Sequence, residues 1–194
     1  MKTKNQLAVI SIFIFGFISL PAHSTKNIHS ISVKSGTGTV ITNDSTLDTK
    51  LSEQYGLVYE FLLNSHYAIN AEYLEGSYTC FIVCFTNDFR SAEWKSQQVT
   101  VKGFTPFTKR WSVFARLGIN YSTNRFITSN YDPNSPYSSD VLLPDRKASG
   151  FNYVVALGIE FKAANGFRFG FDAQHLPMPL FDANIYSVFV GYSF

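Results

Sequence analysis

From Trp111 to Ser122 the chain alternates strictly. Odd positions read Trp111, Val113, Ala115, Leu117, Ile119 and Tyr121, and even positions read Ser112, Phe114, Arg116, Gly118, Asn120 and Ser122. The stretch from Phe151 to Lys162 repeats this, with Phe151, Tyr153, Val155, Leu157, Ile159 and Phe161 on one face and Asn152, Val154, Ala156, Gly158, Glu160 and Lys162 on the other. A period of two means an extended strand with unlike faces, because successive side chains of a strand point to opposite sides. In both stretches the apolar face carries rings at its ends and aliphatic residues between them. That order suits a strand crossing headgroup, hydrocarbon and headgroup, with amphipathic rings at the two interfaces. A soluble sheet has no reason to adopt it.

Shorter alternations recur elsewhere. Tyr55, Leu57, Tyr59, Phe61 and Leu63 form one such face; Tyr67, Ile69, Ala71 and Tyr73 form another; Val99, Val101, Gly103, Thr105 and Phe107 a third; Phe167, Phe169, Phe171 and Ala173 a fourth. The first strand is expected within Ile28–Gly36. Short turns fall at Asn64-Ser65-His66, around Thr108-Lys109-Arg110 and at Ala164-Asn165-Gly166, the last with the Asn-Gly signal of a tight hairpin. Between them lie long polar stretches at 37–54, 79–97, 125–148 and 176–184. Alternating short and long connections match the periplasmic turns and extracellular loops of a bacterial barrel. Three turns and four loops predict an all-β fold: an eight-stranded antiparallel transmembrane β-barrel of the bacterial outer membrane, both termini periplasmic.

The competing fold is a soluble lipocalin-like barrel, whose apolar face points inward. Here the other face carries Glu60, Glu72, Lys102, Arg116, Glu160, Arg168 and Asp172, too many charges for an apolar ligand cavity. Inside a narrow membrane barrel four acids can pair with three bases, with Lys162 near the rim as a candidate fourth. Buried charges persist only when paired and hydrogen-bonded, so this set reads as a plug, with an ion path as its functional alternative.

The amino terminus has the form of an export signal. Lys2 and Lys4 precede an apolar run from Leu7 to Leu20, and Ala22-His23-Ser24 supplies small residues where a signal peptidase reads. The run is shorter than the roughly 20 residues that span hydrocarbon as a helix. The expected division is therefore a signal peptide at 1–24 and a barrel at 25–194. Without Lys2 and Lys4 the remaining chain has as many basic as acidic residues, from totals of 16 and 14. No basic stripe argues for nucleic acid as a partner.

The chain ends Tyr186-Ser187-Val188-Phe189-Val190-Gly191-Tyr192-Ser193-Phe194. Val188, Val190, Tyr192 and the final Phe194 alternate, which resembles the terminal strand read by the bacterial outer-membrane assembly machinery. An edge strand of this kind can add to a receptor sheet by β-augmentation. Residues 25–194 as a whole resemble the small outer-membrane barrels related to the transmembrane domain of outer membrane protein A, including the X-type and accessory-colonisation-factor barrels. The resemblance implies no cofactor, and no added peptidoglycan-binding domain is expected. It implies outer-membrane lipid, lipopolysaccharide and the assembly machinery as partners, and adhesion or envelope maintenance through surface loops, with a host or surface ligand.

Three features remain as candidate chemistry. Cys80 and Cys84, spaced C-x₃-C around an apolar Phe81-Ile82-Val83 tip, read as a local disulfide in an oxidising compartment, since no His or further Cys stands near to make a metal site. His175 invites comparison with the outer-membrane lipid A deacylases, which carry Ser two residues after a strand His; here that position is Pro177, and a triad without a nucleophile cannot acylate. The loop Phe126–Lys147, rich in Asn, Ser, Pro and Tyr, is the best candidate for recognition. A barrel without catalysis that acts through its loops is the reading taken; a lipid A hydrolase and a narrow channel are the alternatives.

Overall fold

The fold is described from a computed structural model that defines residues 28–42, 50–79, 88–130, 141–142 and 146–194. Segment 1–24, Cys80 and Cys84 lie outside the described residues. Among the described residues nine strands occur in chain order: β1 His29–Thr42, β2 Lys50–Leu62, β3 Tyr67–Thr79, β4 Asp88–Pro106, β5 Trp111–Asn130, β6 Val141–Leu142, β7 Arg146–Lys162, β8 Phe167–Pro177 and β9 Phe181–Ser193. Eight of them pair antiparallel with both neighbours in a closed ring, and the two-residue β6 only extends the outer end of β5. Closure joins the ends of the chain, because β1 pairs with β9 from Ser30↔Ser193 to Thr42↔Phe181. A barrel leaves no edge strand unpaired, which matters most where lipid cannot satisfy a backbone amide.

The three short turns hold by side-chain hydrogen bonds that sequence alone can specify. Asn64 Oδ1 accepts from the amides of His66 at 2.8 Å and Tyr67 at 3.0 Å, and Thr108 Oγ1 accepts from Trp111 N at 2.9 Å. These are local alternatives to the ladder that Asn and Thr favour. Gly166 sits at φ 90°, where a Cβ would be strained, so the Asn-Gly pair is a requirement of that turn.

The faces follow the alternation. Leu117 and Leu157 are each 62% exposed on the outer wall, while Glu60, Glu72, Lys102, Arg116, Glu160, Arg168 and Asp172 are buried inside. Such an arrangement is stable only if the outside solvent is apolar, as in a bilayer.

Strand lengths differ from the sequence reading in one direction. β1 runs on to Thr42, β4 begins at Asp88, β5 reaches Asn130 and β7 begins at Arg146, so the ladders continue through much of 37–54, 79–97 and 125–148. The segment 176–184 is likewise mostly strand, with only Met178, Pro179 and Leu180 between β8 and β9. Beyond the headgroups a strand no longer meets lipid. Its outer face turns polar there, and the alternation that signals a strand fades while backbone pairing goes on.

The apolar belt is uneven around the wall. On β5 and β7 ten residues separate the ring nearest the turns from the last apolar residue of the outward run: Trp111 to Tyr121 and Phe161 to Phe151. The interval is eight from Phe107, beside β4, to Val99 and from Phe194, beside β9, to Tyr186. It is six on β2, β3 and β8, from Phe61 to Tyr55, Tyr67 to Tyr73 and Phe167 to Ala173, and four on β1, from His29 to Val33.

Candidate functional site: the sealed lumen and the outer rim

The inner wall carries two charge groups, one above the other. In the group nearer the turns, Lys102 Nζ lies 2.8 Å from Glu60 Oε2 and also contacts Glu160; Arg168 reaches Glu60 at 2.7 Å and Glu160 at 2.5 Å. In the second group Lys34 Nζ lies 2.7 Å from Asp172 Oδ2 and 3.4 Å from Glu72, and Arg116 contacts both Glu72 and Asp172. Each group sets two bases against two acids, so each is formally neutral. Burying eight ionised side chains is tolerable because every one has an opposite charge and a hydrogen bond at hand.

The sequence sets four acids against three bases with Lys162 near the rim as a candidate fourth, and Lys162 does lie there, its side chain 35% exposed, 3.5 Å from Glu160 and over the Phe104 ring. The fully buried fourth base is Lys34, which that reading does not include. The parity of β1 carried the signal: Ser30, Ser32 and Lys34 share the inward face and Ile31 and Val33 the outward one.

Between the groups the filling is aromatic. Lys102 Nζ stands 4.3 Å from the centre of the Phe114 ring, and Phe114 meets Phe189 edge-on at 6.1 Å. Both rings occupy space left by glycines directly across the ladder, since a Cβ on Gly158 would collide with Phe114 and one on Gly170 with Phe189. The residual cavity lined by both groups measures about 20 Å³, room for roughly one water.

Further out, Lys34 Nζ donates to Gln174 at 3.0 Å, Gln174 to Gln98 at 3.0 Å and Gln98 to Ser96 at 2.9 Å, so a polar layer caps the second group. Above it an apolar cluster packs beside buried Ser122 and Asn124. Trp94, Val154, Leu176, Met178, Phe181 and Ile185 form one buried cluster, with Trp94 against Phe181 at 5.7 Å. Gly76, opposite Trp94 in the ladder, makes room for the indole. The sequence reading placed Trp94 in a loop and gave no hint of this stopper. The clue was Ala92, Trp94, Ser96 and Gln98 holding the inward parity of Thr100 and Lys102 on the same strand.

His175 faces outward on β8. Its Nδ1 is 2.7 Å from Asn184 Oδ1 and its Nε2 3.5 Å from the Tyr153 hydroxyl, and Pro177 pairs across the ladder with Asp182. Further along the neighbouring strands, Arg125 on β5 and Lys147 on β7 stand directly opposite each other, both exposed, with Arg146 exposed one residue away. Most of the candidate loop 126–147 lies outside the described residues or is described only in its backbone. At the other end, Val188, Val190, Tyr192 and Phe194 all point outward on β9, and Phe194 stacks on His29 with ring centroids 5.9 Å apart.

A closed wall with a lipid-facing exterior and a filled, ion-paired interior defines a small transmembrane β-barrel of the bacterial outer membrane. Solved structures agree. The attachment invasion locus protein Ail of Yersinia pestis matches with a TM-score of 0.58 at 14% identity, over 88% of this chain and 100% of that one. Neisserial surface protein A matches with a TM-score of 0.58 at 10% identity, over 87% and 98%. OprG, an outer-membrane protein of Pseudomonas aeruginosa, matches with a TM-score of 0.54 at 10% identity, over 87% and 97%. At such identities the likeness is one of fold. No family model matches the sequence, and no curated protein matches it.

Proposed function

We propose that this barrel is a non-catalytic surface protein whose outer rim attaches to an anionic surface. The observation that carries the reading is the pair Arg125 and Lys147, like charges directly opposite on neighbouring strands, with Arg146 beside them. Like charges so placed destabilise a sheet. Glu93 stands opposite Arg125 on its other side. Three exposed cations gathered at one place on the rim form a surface that an anionic ligand complements. Ail, which shares the fold, has been crystallised with the heparin analogue sucrose octasulfate, and a sulfated or phosphorylated glycan is the matching chemistry here.

Two alternatives fit less well. A conducting channel needs a path past the two charge groups, and the cavity between them has room for about one water. A hydrolase needs a nucleophile beside His175, whose hydrogen bonds go to Asn184 and Tyr153. The test is retention of cells displaying the protein on a heparin matrix. Arg125→Gln with Lys147→Gln should abolish retention, while His175→Ala leaves both retention and lipid A acylation, read by mass spectrometry, unchanged. Retention that ignores the double substitution sinks the attachment site. Acylation that depends on His175 makes the protein an enzyme.

A further inference from the structure

The uneven belt has a physical cost. With a rise of about 3.3 Å per residue and a tilt of about 40°, each residue adds roughly 2.5 Å of height. Ten residues on β5 and β7 then give about 25 Å, the height of an ordinary barrel belt. Six on β2 and β3 give about 15 Å and four on β1 about 10 Å by the same conversion. On that side, polar side chains point outward at heights where the far side presents Leu117, Ile119 and Tyr121: Ser35, Thr37 and Thr39 on β1, Glu53 on β2, Asn184 on β9. The same side has a depression of about 830 Å³ that crosses the junction of β1 with β9 and reaches Leu157 and Ile159 on β7. Small residues line part of it beside larger ones, with Ser35 in register with Tyr55 and both Thr37 and Ala173 in register with Tyr186.

We infer that the upper part of this face is met by lipid headgroups rather than acyl chains: the outer leaflet dips along the β1–β9 junction, and polar headgroups settle against Ser35, Thr37 and Glu53 at the outer end of the depression. The Thr37 hydroxyl donates to Ser52 O at 2.9 Å, but hydrocarbon against Glu53 would leave a carboxylate in an apolar medium, whereas a shorter belt is relieved by local thinning at a modest cost per ångström. Charge selects the occupant. Among the described residues the outward charged side chains on β1, β2, β8 and β9 are Glu53 and Asp182, both acidic. A second copy docked about a two-fold axis would set acid against acid, because such an interface presents the same patch from both sides. Headgroups bearing ammonium or hydroxyl donors complement it instead.

The experiment compares spin labels at Thr37→Cys and Ile119→Cys, each eight residues above the lower ring on its own strand, at His29 and Trp111. Both are made with Cys80→Ser and Cys84→Ser, and each is reconstituted in vesicles of palmitoyl-oleoyl phosphatidylethanolamine and phosphatidylglycerol. Heat-modifiable migration confirms folding. The Thr37 label should be several-fold more accessible to a water-soluble nickel chelate than the Ile119 label, and less accessible to oxygen. Equal, lipid-like values at the two positions overturn the inference. Values at Thr37 that change with the protein-to-lipid ratio overturn it in favour of a second copy. Adding Ser35→Val and Glu53→Leu lengthens the belt and should return the Thr37 label to lipid-like values. Accessibility that survives this change has a cause other than belt height, and the inference falls.

Discussion

Lys34 on β1 and Asp172 on β8 lie 2.7 Å apart inside the barrel although 138 residues separate them in the chain. The contact spans the β1–β9 junction, so an ion pair bridges the place where the first and last strands meet.

Removing one partner of such a pair should cost far more than removing both. Lys34→Met leaves Glu72 and Asp172 with Arg116 as their sole cation in the group, and should destabilise the barrel by about 3–5 kcal/mol. Lys34→Met with Asp172→Leu restores neutrality and should recover most of that loss. Urea midpoints in phospholipid vesicles measure both. A double variant no better than the single one means packing, not charge, sets the cost.

Gly76 and Trp94 make a second coupled pair. The three atoms nearest to a Cβ on Gly76 all belong to the Trp94 indole, so Gly76→Ala should cost about 1–3 kcal/mol by overpacking. Trp94→Leu should relieve it in the same background. If Gly76→Ala is neutral alone, the indole is not seated over that glycine.

The outer wall should reject charge. Leu117→Arg and Leu157→Arg, both at well-exposed outward positions, should each cost about 2–4 kcal/mol if they lie near the bilayer midplane. Tolerance at both sites would mean that the apolar face does not meet lipid.

Phe194 closes the ring, exchanging backbone hydrogen bonds with His29 at 2.8 and 3.1 Å as well as stacking on it. Its deletion should reduce insertion into the outer membrane, read by heat-modifiable migration of membrane fractions. Full insertion of the shortened chain would remove the terminal residue from any assembly signal.

Much of the wall was legible because lipid imposes a rule that sequence displays directly. On β5 and β7, where the apolar run is longest, alternation and ring positions gave strand, face and depth together. Asn64, Thr108 and Asn165 marked the turns for an equally local reason. What escaped notice lies where the rule lapses. Past the headgroups the outer face of β4 reads Glu93, Lys95 and Gln97, so the inward Trp94 looked like part of a loop. Lys34 was lost with a first strand whose outward residues soften early to Ser35 and Thr37. The stopper needed Leu176, Met178 and Phe181 to turn inward around a three-residue connection, a consequence of closure that no single strand announces.

The two neutral charge groups also bear on how such a sequence drifts. Outside, any apolar residue of tolerable size serves lipid equally well, and positions there change independently. Inside, a change to one member of a group leaves an uncompensated charge among seven others, and the chain is penalised until a partner changes with it. Substitutions on the inner wall are therefore accepted in compensated sets, which can move a charge from one strand to another without altering the sum. Over long divergence the identity of individual positions is erased on both faces while the architecture is kept. Barrels that share 10–14% of their residues with this chain can thus share its fold.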